Sequence, residues 1–296
     1  MKIGILGAGE YGKAFGVQLR RNGNATYFYD PFLLPNRTLR DVVEFSDVIL
    51  LAAPSKAVSG IINSLPAEGF FKPLLVATKG VLNKELYDKF ENYEIISGPG
   101  FASDIVNEKR IKLTVASIGA LDGVTLAERL LESEKLRFDK TDDVYGVMLL
   151  GALKNIFAIE SGRRRLTQRS SMFKEFILEA VKESQQILIY NGGFLETVKF
   201  SAGVGDFVLT CGSDMSRNYR FGVRLSEFEG RTGLRKSLDG FFRASKDVRL
   251  KKMLAPRGVT VEGVTAAREI ERQGIFIPRE LEILPDILRR IKNGVK

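Results

Sequence analysis

The 296-residue chain is 44% apolar and sets 45 Lys and Arg against 36 Asp and Glu, a formal net charge of +9. It has no histidine and one cysteine, Cys211, which excludes histidine-dependent serine triads, most zinc sites and any disulfide within the chain. Proton transfer is left to Lys, Asp, Glu, Tyr or Cys.

A chain of this size suits two ordinary domains, and the single cysteine points to a reducing compartment. The positive residues are scattered in short groups such as Arg163-Arg164-Arg165 and Lys251-Lys252. That pattern belongs to a solvated surface that suits anionic small molecules, and no aromatic-basic platform marks it for nucleic acid. The opening MKIGILGAG leads from a short apolar run straight into a glycine turn, so it reads as neither signal nor transit peptide. No apolar run approaches the ~20 residues needed to span a bilayer. A cytoplasmic protein is expected, with no membrane insertion and no nucleic-acid partner.

In chain order, KIGIL (2–6), ATYFY (25–29), DVILLA (47–52), LLVAT (74–78), YEII (93–96) and KLTVAS (112–117) are apolar runs bounded by Gly, Pro, Asn or Asp. Near-continuous apolar strands separated by crossovers predict a parallel sheet covered on both faces. Residues 1–140 are thus expected to form a doubly wound, Rossmann-type α/β domain. From about residue 141 the segments VYGVMLLGALKNIFAIES, MFKEFILEAVKESQQILIY, EGVTAAREIERQG and RELEILPDILRRIKN carry apolar residues at three- and four-residue intervals. They predict an all-helical domain over 141–296, in which Pro285 bends the last segment or starts a new turn. The boundary near KLRFDKTDD (135–143) lacks linker composition and is expected to be tightly packed.

Gly7-Ala8-Gly9-Glu10-Tyr11-Gly12 fits G-x-G-x-x-G between the first strand and the helix YGKAFGVQLRRNG. The glycines permit a tight turn, backbone approach to a pyrophosphate and close helix-to-strand packing, while free amides at the helix start meet the phosphate charge. Asp30 ends the second strand, 18 positions past Gly12. A carboxylate there accepts from ribose hydroxyls and repels a 2′-phosphate, so NAD is expected over NADP; the alternative is that Asp30 only starts a turn before Pro31. Three further loops follow later strands: AAPS (52–55) with Pro54, ATKG (77–80) with Lys79, and SGPGFA (97–102) with Gly98 and Gly100. Lys79 can point its ammonium into the ligand crevice or sit on the surface at a strand exit.

In the helical half, Lys154 lies on an apolar helix face with Leu150, Gly151, Phe157 and Ala158 three and four positions away. Asp206 and Thr210 share a helix face in the otherwise apolar segment of SAGVGDFVLTCGSDMSRNYRFG (201–222). An unpaired buried carboxylate is costly, so the economical expectation is that Asp206 meets Lys154. Arg217, Asn218 and Arg220 follow as a group able to hold an anion by forked hydrogen bonds. The bland alternatives are a snorkelling Lys154, a solvated arginine face, and an Asp206 favoured by a helix dipole near Gly205.

The fragments GAGEYG, the proline-serine after the third strand, ATKG, SGPGFA, GALKN, GVGDFVLTC, SRNYRFG and VEGV occur in an order and spacing that resembles the bacterial NAD(P)-dependent glycerol-3-phosphate dehydrogenases. The resemblance implies reversible reduction of dihydroxyacetone phosphate to sn-glycerol 3-phosphate, feeding phospholipid synthesis, by a homodimer using NAD or NADP. It assigns Lys154 as the proton donor and acceptor, and Lys79 as the lysine touching both cofactor and substrate. Asp206, Ser216, Arg217 and Asn218 match substrate-binding positions, with the arginine and asparagine on the phosphate. Asn155 and Thr210 match residues lining the same pocket, and Ala102, Arg217 and Glu262 match cofactor contacts beside the glycine loop. A lysine on an apolar face can have its pKa lowered from ~10.4 toward neutrality, which suits a general acid and base. Two places depart from the family pattern. Gly100 stands where Ser or Thr is usual, and the 162–176 stretch, GRRRLTQRSSMFKEF, is atypical. The competing readings are a related dehydrogenase of an unphosphorylated hydroxy substrate and a non-catalytic NADH-binding protein.

Overall fold

The computed structural model describes residues 1–79, 87–232, 261–278 and 280–293. They fall into two compact units, Met1–Met148 with Phe200–Ala202, and Leu149–Lys199 with Gly203–Lys296.

The first unit is built on β1 (Lys2–Leu6), β2 (Ala25–Tyr29), β3 (Val48–Leu51), β4 (Leu74–Val76), β5 (Tyr93–Ser97), β6 (Ile111–Ala116) and β7 (Leu136–Thr141). They form one sheet in the order β2-β1-β3-β4-β5-β6-β7. β1 to β5 are parallel, with Ile5 beside Phe28 on one side and Leu50 on the other. The chain fills β2 on one side of β1 and β3 on the other, which puts a topological switch point between β1 and β3.

Two features differ from the sequence expectation. β6 runs antiparallel to β5, with Ile96 opposite Val115. The connection between them holds a helix of only 5 residues, Ala102–Val106, about 7.5 Å long at 1.5 Å per residue. It cannot carry the chain back along the full length of β5, so the chain returns in the opposite sense. The second difference is β7, which occupies the stretch read as a domain boundary and pairs in parallel with β6. Leu136 and Phe138 turn inward and Arg137 outward, the charged alternation of a sheet-edge strand.

Among the described residues, the α-helices of this unit are α1 (Glu10–Arg21), α2 (Leu39–Phe45), α3 (Ser55–Asn63), α4 (Ala102–Val106) and α5 (Leu126–Leu131). α1 lays Ala14, Phe15 and Leu19 on the sheet residues Ile3, Ile5 and Leu50. Capping boxes at Thr38 and Thr125 start α2 and α5.

In the second unit the described elements are helical: α6 (Val144–Arg163, whose first residues belong to the first unit), α7 (Ser171–Tyr190), α8 (Asp206–Cys211), α9 (Arg217–Thr232), α10 (Glu262–Arg272) and α11 (Ile283–Asn293). α6 is 20 residues long and apolar enough to cross a membrane, but 94% of its most apolar window is buried within the protein. An all-round apolar helix of this kind forms a core. α9 reaches it closely, because a Cβ at Gly222 would stand 2.0 Å from the Ile159 carbonyl oxygen. α11 is held by Glu183 of α7, whose carboxylate accepts from the amides of Glu282, Ile283 and Leu284 at 2.8, 2.6 and 2.8 Å. Pro285 is the third residue of α11, where its absent N–H costs no helical hydrogen bond, so the helix starts at Ile283 instead of bending.

Candidate active site

Of the predicted nucleotide residues, those of the first unit collect at the carboxyl ends of β1 to β5, the ligand edge of an open α/β sheet, whereas Arg217 and Glu262 belong to the second unit. Gly7 has φ +113°, and its N–H donates to the Tyr29 carbonyl at 2.8 Å. A Cβ at Gly12 would lie 2.1 Å from the Gly7 carbonyl oxygen, so only glycine lets α1 start this close to the turn. A Cβ at Gly9, by contrast, would meet nothing within 4 Å. Open space thus lies over the start of α1, whose first amides receive no side-chain cap. Glu10 is exposed on the first turn. These residues fit a dinucleotide pyrophosphate: bare backbone faces open space at a helix start.

Asp30 follows β2 directly. Its Oδ2 accepts from the Ala8 amide at 2.9 Å, and its Oδ1 from the Phe32 and Leu33 amides at 3.0 Å each. It therefore starts the turn and also braces the glycine loop, which leaves Oδ2 with room for one further donor. Pro54 precedes α3 and is exposed. Lys79, partly buried, carries its ammonium 4.9 Å from the centre of the Tyr11 ring. The Tyr11 hydroxyl donates to the Gly100 carbonyl at 3.3 Å. One side chain thus ties three ligand loops together. Gly98 has φ +143° and Ala102 opens α4. Gly80 of the ATKG motif lies outside the described residues.

In the second unit, Lys154 of α6 and Asp206, the first residue of α8, form an ion pair in which both side chains are 0% exposed. The ammonium donates to Asp206 Oδ2, and the Thr210 hydroxyl donates to Oδ1 at 3.1 Å. Asp206 is delivered there by the π-type turn Ser201–Gly205, kinked at Gly203, where a Cβ would collide with the Val198 carbonyl at 2.0 Å. Burying two charges costs several kcal/mol each, which mutual attraction offsets only in close geometry. Cys211 lies beside this pair, and burial pushes its thiol well above the ordinary range.

Asn155 and Asn218 are buried at 2% and 4% exposure. Asn155 donates to the Gly151 carbonyl at 3.0 Å and accepts from Asn218 Nδ2 at 2.8 Å. Asn218 Oδ1 in turn accepts from the Gly263 amide at 2.9 Å, so the two amides knit α6, α9 and α10 together. Ser216 caps α9, its hydroxyl accepting from the Tyr219 amide at 3.3 Å. Arg217 and Arg220 are exposed. Arg217 pairs with Glu262, the first residue of α10, at 3.7 Å. The expected Arg217, Asn218 and Arg220 group is therefore divided: the asparagine faces inward and the arginines outward.

Some groups were not singled out by the sequence reading. The Thr78 hydroxyl donates to the Ala53 carbonyl at 2.9 Å and binds the β4 loop to the β3 loop. Within the atypical stretch, Arg163 and Arg164 fold back on buried Glu160 at 2.7 to 2.8 Å. Burial alone would raise this carboxyl, but the hydrogen bonds and charges of the two arginines outweigh it and hold it below its ordinary value. The three- and four-residue spacings from Glu160 to Arg163 and Arg164 were the available signal.

A glycine-loop sheet unit and a helical unit with a buried lysine-carboxylate pair together define a nucleotide-dependent dehydrogenase. Residues 143–289 match the family model described as NAD-dependent glycerol-3-phosphate dehydrogenase C-terminus. The chain is 32% identical over 302 residues to a glycerol-3-phosphate dehydrogenase [NAD(P)+] of Cereibacter sphaeroides, covering 93% of this chain and 90% of that one. It is 31% identical over 262 residues to the enzyme of the same name from Legionella pneumophila (strain Paris), covering 75% and 78%. The chain belongs to the NAD(P)-dependent glycerol-3-phosphate dehydrogenase family. Among solved structures, glycerol-3-phosphate dehydrogenase from Coxiella burnetii superposes with a TM-score of 0.72 at 24% identity, covering 100% of this chain and 98% of that one. The Plasmodium falciparum enzyme gives 0.75 at 16% identity, covering 100% and 92%. These structural likenesses speak to the fold.

Proposed function

We propose that this protein reversibly reduces dihydroxyacetone phosphate to sn-glycerol 3-phosphate with NAD(P)H, supplying a phospholipid precursor. The observation that carries the reading is the fully buried Lys154–Asp206 pair, with Thr210 on the second carboxylate oxygen. Cofactor binding alone has no use for so costly an arrangement. The nicotinamide, when bound, supplies the hydride. As negative charge develops on the ketone oxygen, Lys154 gives it a proton, and in the reverse direction takes the proton from the alcohol. Asp206 orients the ammonium and favours its charged form, while Thr210 fixes the carboxylate.

Lys79 is assigned to both cofactor and substrate, and Gly98, Gly100, Asn155, Ser216 and Asn218 to the substrate side. Arg217 is assigned to the phosphate, which lies away from the reacting carbon and holds the ketone in place. Gly7, Gly9, Glu10, Tyr11, Gly12, Asp30, Pro54, Ala102 and Glu262 are assigned to the cofactor. In this division residues 1–140 bind the dinucleotide and 141–296 carry substrate binding and proton transfer. NADH is the favoured cofactor, since the Asp30 carboxylate repels an added 2′-phosphate. A cytoplasmic homodimer completes the proposal.

The test is NADH oxidation with dihydroxyacetone phosphate beside unphosphorylated dihydroxyacetone. The phosphate ester should be at least about a hundredfold more efficient. Equal efficiency, or turnover of neither, refutes the assignment.

A further inference from the structure

Of the consecutive residues Ser216, Arg217 and Asn218, only Arg217 is exposed, and its guanidinium already pairs with a carboxylate. The partner, Glu262, is held in place independently. Arg217 and Glu262 are the first residues of α9 and α10, and the Gly263 amide bonded to Asn218 Oδ1 at 2.9 Å locks the two helix starts together. At 3.7 Å, with side chains 51% and 25% exposed, the pair is looser than a forked charge-assisted contact. It is therefore of the weak, exchangeable kind. A carboxylate and a phosphate present the same kind of anionic oxygen to a guanidinium, so they compete for it.

Resting on the assignment of Arg217 to the substrate phosphate, we propose that Glu262 is a built-in competitor for that phosphate. It holds the guanidinium oriented while no anion is bound. When a phosphate ester arrives, it must give up the guanidinium, and it then faces the dianion as a like charge. Glu262 thereby caps the affinity for phosphate esters and assists their release. The rival explanation is local: a carboxylate in the first turn of α10 is favoured by the helix dipole and has no bearing on ligand.

Inorganic phosphate is a sufficient probe, titrated calorimetrically into the full chain without NADH at low ionic strength. Glu262→Gln should bind it about fivefold tighter than the wild type, and the gain should shrink as salt screens the charges. Arg217→Gln should bind it weakly, and adding Glu262→Gln to that variant should restore nothing. Glu262→Asp, which keeps the helix-start charge but withdraws it by one methylene, should also tighten binding and serves if the glutamine variant folds poorly. In turnover, Glu262→Gln should lower the KM for dihydroxyacetone phosphate by a similar factor.

Unchanged or weaker phosphate binding by well-folded Glu262→Gln and Glu262→Asp proteins overturns the proposal. So does tightening that persists in the Arg217→Gln background, and so does a tenfold loss of NADH affinity without a change in phosphate affinity. Wild-type phosphate affinity in Arg217→Gln is a different failure, since it removes the phosphate assignment itself.

Discussion

Replacing Lys154 by methionine separates what the lysine does for stability from what it does for turnover. The variant keeps most of the side-chain volume and strands Asp206, 0% exposed, with the Thr210 hydroxyl still donating to its carboxylate at 3.1 Å. Breaking a buried pair from one side costs about 3–5 kcal/mol. The carboxylate can avoid that cost by taking up a proton, which from a reference pKa of ~3.9 costs about 4 kcal/mol at pH 7, at ~1.36 kcal/mol per pH unit. The two routes give the same figure, and the second makes the loss depend on pH. In the variant the folded-state pKa of Asp206 lies above its unfolded value. The penalty is then absent below about pH 4 and grows as pH rises, until the folded pKa is passed. Urea midpoints followed by far-UV circular dichroism should place the variant about 4 kcal/mol below the wild type at pH 7 and about 1.5 kcal/mol below it at pH 5. Lys154→Met combined with Asp206→Asn should regain most of that stability. Turnover should stay down by about 10²- to 10⁴-fold in both, with NADH affinity near normal. An equal deficit at both pH values refutes the buried-charge reasoning, and near-normal turnover removes Lys154 from the chemistry.

Gly12→Ala puts a Cβ 2.1 Å from the Gly7 carbonyl oxygen, so NADH binding measured by fluorescence titration should weaken at least about tenfold, and undiminished binding contradicts the tight start of α1. Glu160 has a folded pKa depressed below 4.5 by Arg163 and Arg164 in spite of burial. Its contribution is therefore present above the unfolded pKa and lost as pH falls through the folded one. Glu160→Gln should cost roughly 2 kcal/mol at pH 7 and flatten the fall in melting temperature between about pH 5 and 3; an unaltered acid limb counts against the arginine clamp. Tyr11→Leu removes both the ring under Lys79 and the hydroxyl on Gly100. It should raise the KM for dihydroxyacetone phosphate about fivefold, with Tyr11→Phe restoring much of the loss. Equal effects of the two substitutions would show that the ring contact is immaterial.

What could be read from the sequence is what desolvation forces. Buried parallel strands are continuous apolar runs, so six of the seven were visible as such. β7 was not, because Arg137, Asp139 and Lys140 alternate with Leu136 and Phe138 and resemble a polar connection. The reversed sense of β6 depends on the brevity of α4, which hydrophobic pattern does not encode. The Lys154–Asp206 pair was legible for the same reason as the strands: two charges in apolar surroundings each need the other, and 52 residues of separation do not alter that requirement. At the helix starts the requirement lapses. Arg217 and Asn218 are neighbours in sequence, but successive helix positions point about 100° apart, and packing against α6 and α10 selects which one turns inward. Asp30 is similar. A carboxylate at the end of β2 can serve its own turn, the glycine loop or a ribose, and the folded chain gives it the first two while leaving room for the third. Chemistry that must leave water is thus written in residue types, whereas polar groups that keep some water choose partners only once the backbone has brought the candidates together. The assignment of Glu262 is of this second kind, since position and charge alone suit a cofactor contact, a helix-start carboxylate and a rival for phosphate equally, and only the response of anion affinity to its removal separates them.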